Sequence, residues 1–521
     1  MTSLSDPTRI KALAVGMVAL LGACGGAGDG ASLGSAAQQA CDALSGQTID
    51  GTTLVSQGVA ARGTAPAYCK VNGMIAPKLI FEVRLPSPWN GKLYYGGGGG
   101  YNGTIPDVSD LNLAALTAGY ATVNSDSGHQ GDPLSAAFAL NDPQAAALFG
   151  NLSVPSVMNV AVKVVKVAFG TAPSRSYFEG CSGGGREALM SVQRNPALFD
   201  GVIARAPGYN WAGFMGHFNR TARAVAASGG FSLAKTQLLA LSVRNACDGL
   251  DGITDGVVSN QAACTTAVFD PASLRCAGGG DTGNSCLSDA QLAVVNSYTS
   301  DAVFAGSPTY RNAGWSLTGN EDDPGAWPVW VTGNGVAAAA LQGIFQDTTV
   351  KNYLAKNPAA NSLAYAPWNQ NAAALANLAA LNDATQTDIR PFRDRGGKLL
   401  IWQGGSDPAL SKNATIEYYN NVAAVVGGTA NADAFTRLYI APGVNHCTGG
   451  PGADTTDLLG ALDRWVVSGI APTALIAQQL DPATGAANFT RPLCQHPKYP
   501  RYIGPANDAQ AAKLAANYAC S

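Results

Sequence analysis

A short stretch in the first half of the chain has the residues and spacing of a serine nucleophile. Residues 177–190 read YFEGCSGGGREALM, where an apolar run meets the pattern Gly-x-Ser-x-Gly and a helical pattern follows over residues 186–194. Such a turn between a strand and a helix exposes the serine hydroxyl, and its glycines let the backbone approach a substrate closely. Ser182 is therefore the candidate nucleophile for acyl transfer, and the alternative is an incidental glycine-rich turn.

A serine hydroxyl needs a general base to take its proton, and the chain contains only four histidines. His446 lies in the loop APGVNHC after a late apolar run and follows the serine, as the base does in the chain order Ser, Asp, His. His129 lies after an early strand pattern and is the main alternative, although it also fits a structural role. His217 lies in a helical pattern and His496 in the C-terminal tail, so both fit the base less well.

Asp407 is the candidate acid that orients the base. It lies between the serine and the histidine in the chain, in WQGGSDPAL, just beyond a strand pattern over residues 399–403. Ligand chemistry gathers beyond the carboxyl ends of strands in open α/β sheets. The alternative is a turn residue, because Asp-Pro is a common turn dipeptide.

The negative charge that develops on the substrate oxygen needs hydrogen-bond donors. One is the backbone N–H of Gly183, directly after the nucleophile. A second is expected from the five glycines of residues 96–100, which follow an early strand pattern and carry no side chains that would obstruct their N–H groups. Gly100 is the candidate there, and the alternative is a flexible glycine loop.

Two cysteines adjoin the candidate catalytic residues. Cys181 precedes Ser182 and Cys447 follows His446. Contact between the serine and the imidazole would bring these cysteines within the range of a disulfide. Such a bridge would hold the two catalytic loops in register. The alternative is a pair of small buried cysteines that fit tight turns.

The order of elements around these residues indicates an α/β fold. From about residue 75 to residue 206, and again after residue 396, short apolar runs alternate with helical patterns, which favours a mostly parallel sheet. Residues 210–388 lose this rhythm and hold four cysteines, several tryptophans and long Ala/Asn tracts. We interpret them as a lid inserted into one catalytic domain that comprises residues 41–209 and 389–521.

An acidic loop broken by glycines, CDGLDGITDGVV, begins at residue 247 in this insertion. Crowded carboxylates repel one another unless a cation neutralises them, and hard oxygen ligands suit Ca²⁺. The spacing is not that of an EF-hand; a structural calcium ion is expected, and the alternative is a solvated acidic turn. Cys247 and Cys264 flank the loop and are expected to form a bridge. The candidate ligands are three carboxylates and two backbone carbonyls: Asp248, Asp251, Asp255, Ile253 and Val257.

The N-terminus has the proportions of an export signal. Basic residues precede an apolar run over residues 12–23 that is too short to span a bilayer. The run ends in Leu-Gly-Ala-Cys, which looks like a bacterial lipobox, so residues 1–24 are interpreted as a lipoprotein signal with Cys24 as the lipidated residue. Residues 25–40 follow as a flexible tether. The alternative is an ordinary cleaved signal.

The composition of the chain limits its possible binding partners and its possible cellular locations. A net charge of −3 gives no electrostatic case for binding nucleic acid or an anionic membrane. Charged residues make up 13% of the chain, about half of the usual share of roughly 25%, which is common in exported proteins. Of the eleven cysteines, ten remain besides Cys24, and an even number favours disulfides in an exported chain. We therefore expect an outer-membrane or cell-surface lipoprotein that meets the membrane only through its lipid, or otherwise a periplasmic or secreted protein.

The combination of GCSGGGRE, GGSDP and NHC resembles the tannase and feruloyl esterase family, including its bacterial mono(2-hydroxyethyl) terephthalate hydrolase branch. The likeness runs from about residue 41 to residue 520. It implies an α/β-hydrolase core with a large inserted lid domain, a Ser182–His446–Asp407 triad and calcium at the acidic loop. It also implies five disulfides: Cys41–Cys69, Cys181–Cys447, Cys247–Cys264, Cys276–Cys286 and Cys494–Cys520.

The resemblance further implies small-molecule substrates that are esters of aromatic acids such as ferulate, gallate and terephthalate. The chain departs from the terephthalate branch at Gly183, where that branch carries an acid, and residues 335–345 contain no arginine to pair with a second substrate carboxylate. A neutral or phenolic acyl group is therefore expected, and Trp327, Trp330 and Phe345 are the candidates to stack on its ring. The alternative for each of these side chains is a place in the core of the lid. The alternatives are a terephthalate monoester hydrolase and a non-catalytic, calcium-stabilised binding protein on the same scaffold.

Overall fold

A ten-stranded mixed sheet forms the centre of the computed structural model, which describes residues 35–106, 110–304, 310–365, 371–506 and 508–521. The signal, the candidate lipidation site Cys24 and residues 25–34 of the tether lie outside the described residues. Residues 35–40 are not a flexible tether as expected, because they begin the helix Ser35–Leu44 and bury Ala37 and Ala40. The strands of the sheet are β1 (Thr48–Ile49), β2 (Thr52–Val59), β3 (Tyr68–Ile75), β4 (Leu79–Pro86), β5 (Lys92–Gly96), β6 (Ala121–Ser125), β7 (Arg175–Ser182), β8 (Gly201–Pro207), β9 (Lys398–Gly404) and β10 (Thr436–Ala441).

The sheet is antiparallel at one edge and parallel over the rest. Its spatial order is β1-β2-β3-β4-β6-β5-β7-β8-β9-β10. Pairing is antiparallel from β1 through β4 to β6 and parallel from β6 onward. Every residue of β8 is buried, as expected for a parallel strand that is covered on both faces. Val202 and Ala204 of this strand belong to one hydrophobic core, and Ile203 between them belongs to another.

Helices pack around the sheet and make up most of the remaining structure. The helical run Pro143–Phe169 is the one part of the described chain that would be long and apolar enough to cross a membrane, and its residues Val157, Ala161 and Val164 are buried in the core. The α-helices are α1 (Ser35–Leu44), α2 (Asp110–Thr117), α3 (Pro143–Ala147), α4 (Ser153–Phe169), α5 (Gly183–Arg194), α6 (Trp211–Ala227), α7 (Leu233–Cys247), α8 (Asp289–Thr299), α9 (Trp327–Trp330), α10 (Leu341–Thr349), α11 (Ala372–Asn382), α12 (Arg390–Asp394), α13 (Lys412–Val425), α14 (Thr429–Asp433) and α15 (Leu458–Ser468).

The segment between β8 and β9 adds no strand to the central sheet in the part that the structure describes. It contributes α6 to α12 and a two-stranded ladder in which Ala302–Val303 pairs with Arg311–Asn312. An aromatic core that includes Trp211, Trp315 and Trp327 holds it together. The proposed lid, residues 210–388, falls within this segment. From residue 35 onward the chain forms one compact unit, and the division into catalytic and lid domains stays a prediction.

Five disulfides cross-link the part of the chain that the structure describes. They join Cys41 to Cys69, Cys181 to Cys447, Cys247 to Cys264, Cys276 to Cys286 and Cys494 to Cys520. These are the five pairs that the family resemblance implies. The last bridge fastens the C-terminal region, where the hairpin Ala474–Leu480 with Ala487–Cys494 precedes a short ladder of Pro500–Tyr502 with Tyr518–Cys520.

Candidate active site

Ser182 occupies a strained turn between β7 and α5. Its backbone has φ 62° and ψ −118°, a left-handed conformation that non-glycine residues rarely adopt. The turn brings strand and helix very close, because a Cβ placed on Gly180 would lie 2.6 Å from the carbonyl carbon of Gly184. Strained backbone of this kind persists where the surrounding structure enforces it, and it is typical of nucleophile turns.

His446 and Asp407 form a hydrogen-bonded pair. The distance from Nδ1 of the imidazole to Oδ2 of the carboxylate is 2.9 Å, and the Asp407 side chain is fully buried. The same Oδ2 accepts a bond from Gln403 Nε2 at 2.8 Å. Oδ1 accepts from the backbone N–H groups of Ala409 and Leu410 at 2.8 and 2.9 Å. A carboxylate fixed in this way favours the tautomer with the proton on Nδ1, which would leave Nε2 free to accept a proton.

The Cys181–Cys447 disulfide brings the serine and histidine loops together. It joins residues 266 positions apart, with 6.0 Å between their Cα atoms. Ser182 and His446 line the same pocket of about 550 Å³. Cys447, like the serine, has a left-handed backbone, with φ 66°. The structure therefore brings together the serine, the histidine and the aspartate that the sequence analysis selected.

Gly183 and Gly100 lie against each other beside Ser182. A Cβ placed on Gly183 would lie 2.7 Å from the carbonyl oxygen of Gly100. Gly100 lines the pocket together with the serine. The five-glycine run is therefore part of a loop, residues 96–102, which we call the glycine loop and which packs on the first turn of α5.

Two backbone N–H groups of the glycine loop have no protein acceptor among the described residues. In the described part of the chain, the N–H groups of Gly99 and Gly100 donate to no protein acceptor, and both residues line the pocket. The neighbouring N–H groups are all engaged with protein acceptors: Gly97, Gly98, Tyr101 and Asn102. The donors available to a substrate oxygen are therefore the N–H group of Gly100, which the sequence analysis selected, and the N–H group of Gly99.

The aromatic side chains of the lid do not all reach the pocket. Trp330 and Phe345 line it, with their rings stacked at 6.1 Å, and Trp330 meets the His446 ring edge-on at 5.0 Å. Trp327 does not line it: this side chain is buried in the lid, edge-on to Tyr298 at 4.9 Å. The expectation that Trp327 stacks on the substrate is therefore corrected, because its ring fills the aromatic core instead.

An apolar cavity of about 30 Å³ adjoins Ser182 on the side of α6. The sequence analysis missed the residues of this helix that form its wall. Apolar residues at intervals of three and four in the stretch WAGFMGHF carried the signal, since that spacing places them on one helix face. Besides Ser182, Gly100, Gly183, Trp330 and Phe345, the cavity is lined by Gly208, Trp211, Phe214, Met215, Phe218, Ala409 and Leu410.

The other histidines have structural surroundings. His129, the alternative base, stacks on Phe138 at 3.6 Å, and burial lowers its pKa to about 4. His217 lies 2.8 Å from the carbonyl of Ser297 and accepts a bond from Asn312 at 3.0 Å, and burial lowers its pKa to about 3. Burial also lowers the pKa of His496. Within the described chain, a carboxylate is hydrogen-bonded to His446 and to none of these three.

The acidic loop buries two of its three carboxylates. Asp248 is 4% exposed and Asp251 is 1% exposed. Burial raises the pKa of Asp248, and it raises the pKa of Asp251 to about 6. Asp255 is paired with Arg491 at 2.5 Å. In the residues that the structure describes, no three His, Cys, Asp or Glu side chains converge as a metal cluster.

The donor set of this loop nevertheless suits a hard cation. The carbonyls of Ile253 and Val257 accept no hydrogen bond within the described chain. Two buried carboxylates and two free carbonyls supply oxygen ligands only, which is the preference of Ca²⁺. A bound cation would also offset the cost of keeping Asp248 and Asp251 ionised while buried.

Comparison with known proteins decides the family. A family model described as tannase and feruloyl esterase matches residues 61–520. The chain belongs to the tannase and feruloyl esterase family. Its members are carboxylic ester hydrolases, so the chain is an enzyme of this class. The family resemblance expected from the sequence is confirmed.

Relatives in this family match most of the chain. The mono(2-hydroxyethyl) terephthalate hydrolase of Piscinibacter sakaiensis is 33% identical over an alignment that covers 89% of this chain and 86% of that protein. Feruloyl esterase B of Aspergillus niger is 29% identical, with 89% of each chain covered. The crystal structure of feruloyl esterase B from Aspergillus oryzae has a TM-score of 0.79 at 23% identity, covering 94% of this chain and all of that one. This neighbour, with the mixed sheet described above, confirms the expected α/β-hydrolase fold.

The contact between the two catalytic loops can be tested by removing the bridge between them. We predict that Cys181→Ser combined with Cys447→Ser lowers kcat on a chromogenic ester about 100-fold, because small displacements of catalytic groups are costly. The matched control is Cys276→Ser with Cys286→Ser, which removes a bridge in the lid and should leave kcat within about threefold. Unchanged turnover in the first variant would show that the disulfide does not hold the serine and the imidazole in register.

Proposed function

We propose that the protein is a serine carboxylesterase that hydrolyses esters of aromatic acids such as hydroxycinnamic and gallic acids. The observation that carries the proposal is the hydrogen bond of 2.9 Å between His446 and the buried Asp407, in a loop that a disulfide ties to the residue before Ser182. Apolar and aromatic walls beside the serine supply a place for the acid's ring.

The proposed reaction has two halves. His446 Nε2 takes the hydroxyl proton of Ser182 while the serine oxygen attacks the ester carbonyl. The N–H groups of Gly183 and Gly100 donate hydrogen bonds to the oxyanion that forms. The imidazolium, stabilised by Asp407, returns the proton to the departing alcohol. A water molecule then repeats the sequence on the acyl-enzyme, releasing the acid and restoring the serine.

The lining of the two cavities supports a neutral acyl group. Neither cavity beside Ser182 is lined by a lysine or an arginine in the described chain. A second carboxylate on the acid would therefore lack a cationic partner, and its desolvation would be uncompensated. The second candidate, a terephthalate monoester hydrolase, rests on the 33% identity to the Piscinibacter enzyme.

A substrate panel separates these candidates and tests the nucleophile. We predict that the wild type hydrolyses methyl ferulate or a gallate ester with a kcat/KM at least about tenfold above that for mono(2-hydroxyethyl) terephthalate. Ser182→Ala should lower kcat at least about 1,000-fold on every ester. Ser242→Ala, in the lid helix α7, serves as the serine control. Preference for the terephthalate ester would favour the second candidate, and undiminished turnover by Ser182→Ala would refute the mechanism.

We also propose a structural calcium ion at the acidic loop. Asp248, Asp251 and Asp255 and the carbonyls of Ile253 and Val257 would hold it. The ion would stabilise the fold of this loop, whose ends are fastened by the Cys247–Cys264 bridge. Burial of two carboxylates and the free carbonyls support this assignment, and the ion has no step in the reaction.

Removing the metal tests this site. We predict that a calcium chelator lowers the Tm of the wild type by several degrees and that added Ca²⁺ restores it, because the ion binds the folded state only. Asp251→Asn should lower the Tm and abolish the effect of the chelator. The control is Asp289→Asn, which changes an exposed acid of the lid and should leave the effect of the chelator intact. Purified protein without stoichiometric calcium and with a chelator-insensitive Tm would contradict the proposal.

Export is supported by the covalent structure of the chain. Five disulfides fit an extracellular protein, since such bonds persist in oxidising compartments. We propose that Cys24 carries a lipid and that residues 25–34 tether the enzyme to a membrane surface, since residues 35–40 belong to α1. Ordinary cleavage of the signal is the alternative, and mass spectrometry of the mature N-terminus distinguishes the two.

A further inference from the structure

Glu187 is a buried carboxylate that the proposed reaction does not use. It lies on α5, five residues after Ser182, and is 5% exposed. Its Oε2 accepts a hydrogen bond from the backbone N–H of Gly98 at 3.1 Å. Its Oε1 accepts bonds from the Asn102 amide at 2.8 Å and the Ser127 hydroxyl at 3.3 Å. One side chain thus binds the middle and the C-terminal end of the glycine loop and the turn after β6.

The backbone around this carboxylate is strained. Asn102 has φ 58° and Ser127 has φ 60°, and non-glycine residues in this region cost free energy unless their surroundings enforce it. Their side chains also bond each other, with 2.6 Å between Asn102 Nδ2 and Ser127 Oγ. Glu187 accepts from both residues, so it compensates for the strain that shapes the end of the loop.

The glycine loop lies directly on Glu187 and on the helix that bears it. A Cβ on Gly97 would lie 3.1 Å from Glu187 Oε2 and 2.8 Å from the Cα atom of Gly184. The N–H of Gly98 points to the carboxylate, and the next two N–H groups, those of Gly99 and Gly100, are the ones without a protein acceptor. The carboxylate therefore fixes the peptide immediately before the free donors.

We propose that Glu187 is a positioning residue for the oxyanion site. It holds the glycine loop at the distance and orientation from Ser182 at which the N–H of Gly100 meets the substrate oxygen. The carboxylate itself stays out of contact with the substrate. This inference rests on the proposed esterase function, because it assigns a role within that reaction.

Glu187→Gln is the most direct test. Glutamine keeps the size of the side chain, but its amide nitrogen cannot accept a hydrogen bond, so either the Gly98 contact or the Asn102 and Ser127 contacts are lost. We expect kcat to fall about 10- to 100-fold with KM within about threefold, since loss of an oxyanion donor acts on the transition state and costs 100- to 1,000-fold when complete. The low-pH limb of the rate profile should keep its midpoint, because the histidine and its acid are untouched.

Asn102→Gly is the second variant, and it decides the question if Glu187→Gln fails to fold. Glycine accepts the left-handed backbone but removes the amide donor, so kcat should fall at nearly constant KM here too. If both variants fold, their double variant should lose less than the product of the two single effects, as members of one network do. Losses that multiply fully would contradict a shared network.

Asp463→Asn is the control for a partly buried, hydrogen-bonded acid away from the pocket. Asp463 accepts hydrogen bonds from Lys92 at 2.7 and 2.6 Å and from Tyr177 at 2.6 Å. These two residues lie near the N-terminal ends of β5 and β7, whereas the pocket lies at the carboxyl ends. The Asp463→Asn variant should lose stability and retain kcat. Wild-type kcat in a folded Glu187→Gln or Asn102→Gly enzyme, or an equal kcat loss in Asp463→Asn, would overturn the inference. Ser182→Ala, measured in the same assays, separates the two claims. If it is inactive while one of those outcomes is found, only the role of Glu187 is refuted. If it is active, the proposed esterase function is refuted.

Discussion

The covalent bond between Cys181 and Cys447 is the constraint on which the geometry of the pocket depends. It closes a loop of 266 positions and joins the end of β7 to the loop after β10. In the sheet these two strands are separated by β8 and β9. In the chain-entropy model such a closure is worth about 5 kcal/mol. Its position matters more than this magnitude, because the bond lies directly beside the proposed nucleophile and the proposed base, where small displacements are costly.

Two buried carboxylates hold the two polar sides of the pocket in place. Asp407 fixes the imidazole on one side, and its remaining acceptor sites are filled by Gln403 and by backbone N–H groups. Glu187 fixes the glycine loop on the other side through donors that are all uncharged. Both carboxylates are satisfied by hydrogen bonds, as buried charges must be. The lid contributes the apolar walls, with Trp330 in contact with the His446 ring.

Local patterns predicted the parts of the structure that are set by local sequence. The strand, turn and helix around Ser182 follow from apolar runs and glycines, although α5 begins at Gly183, three residues before the helical pattern that starts at residue 186. The backbone conformation of Ser182 lets the helix start at once, which periodicity does not reveal. His446 could be selected because the chain has only four histidines and because the base follows the serine and the acid along the chain in this fold.

Features that depend on tertiary packing could not be predicted. Trp327 and Trp330 lie three residues apart on one short helix, yet one fills the core of the lid and the other faces the pocket. Composition carries no information on that difference. The contacts of Glu187 could not be predicted either, because its partners lie in the glycine loop and in the turn after β6, about 60 to 90 residues earlier in the chain.

Identification of the nucleophilic residue tests the central claim most directly. The enzyme would be labelled with p-nitrophenyl diethyl phosphate, an organophosphate that reacts with activated serines, and its peptides would be analysed by mass spectrometry. We predict that the label is found on Ser182 alone and that His446→Ala slows labelling by at least about 100-fold. A label on another residue, or equally fast labelling without His446, would contradict an activated serine at the end of β7.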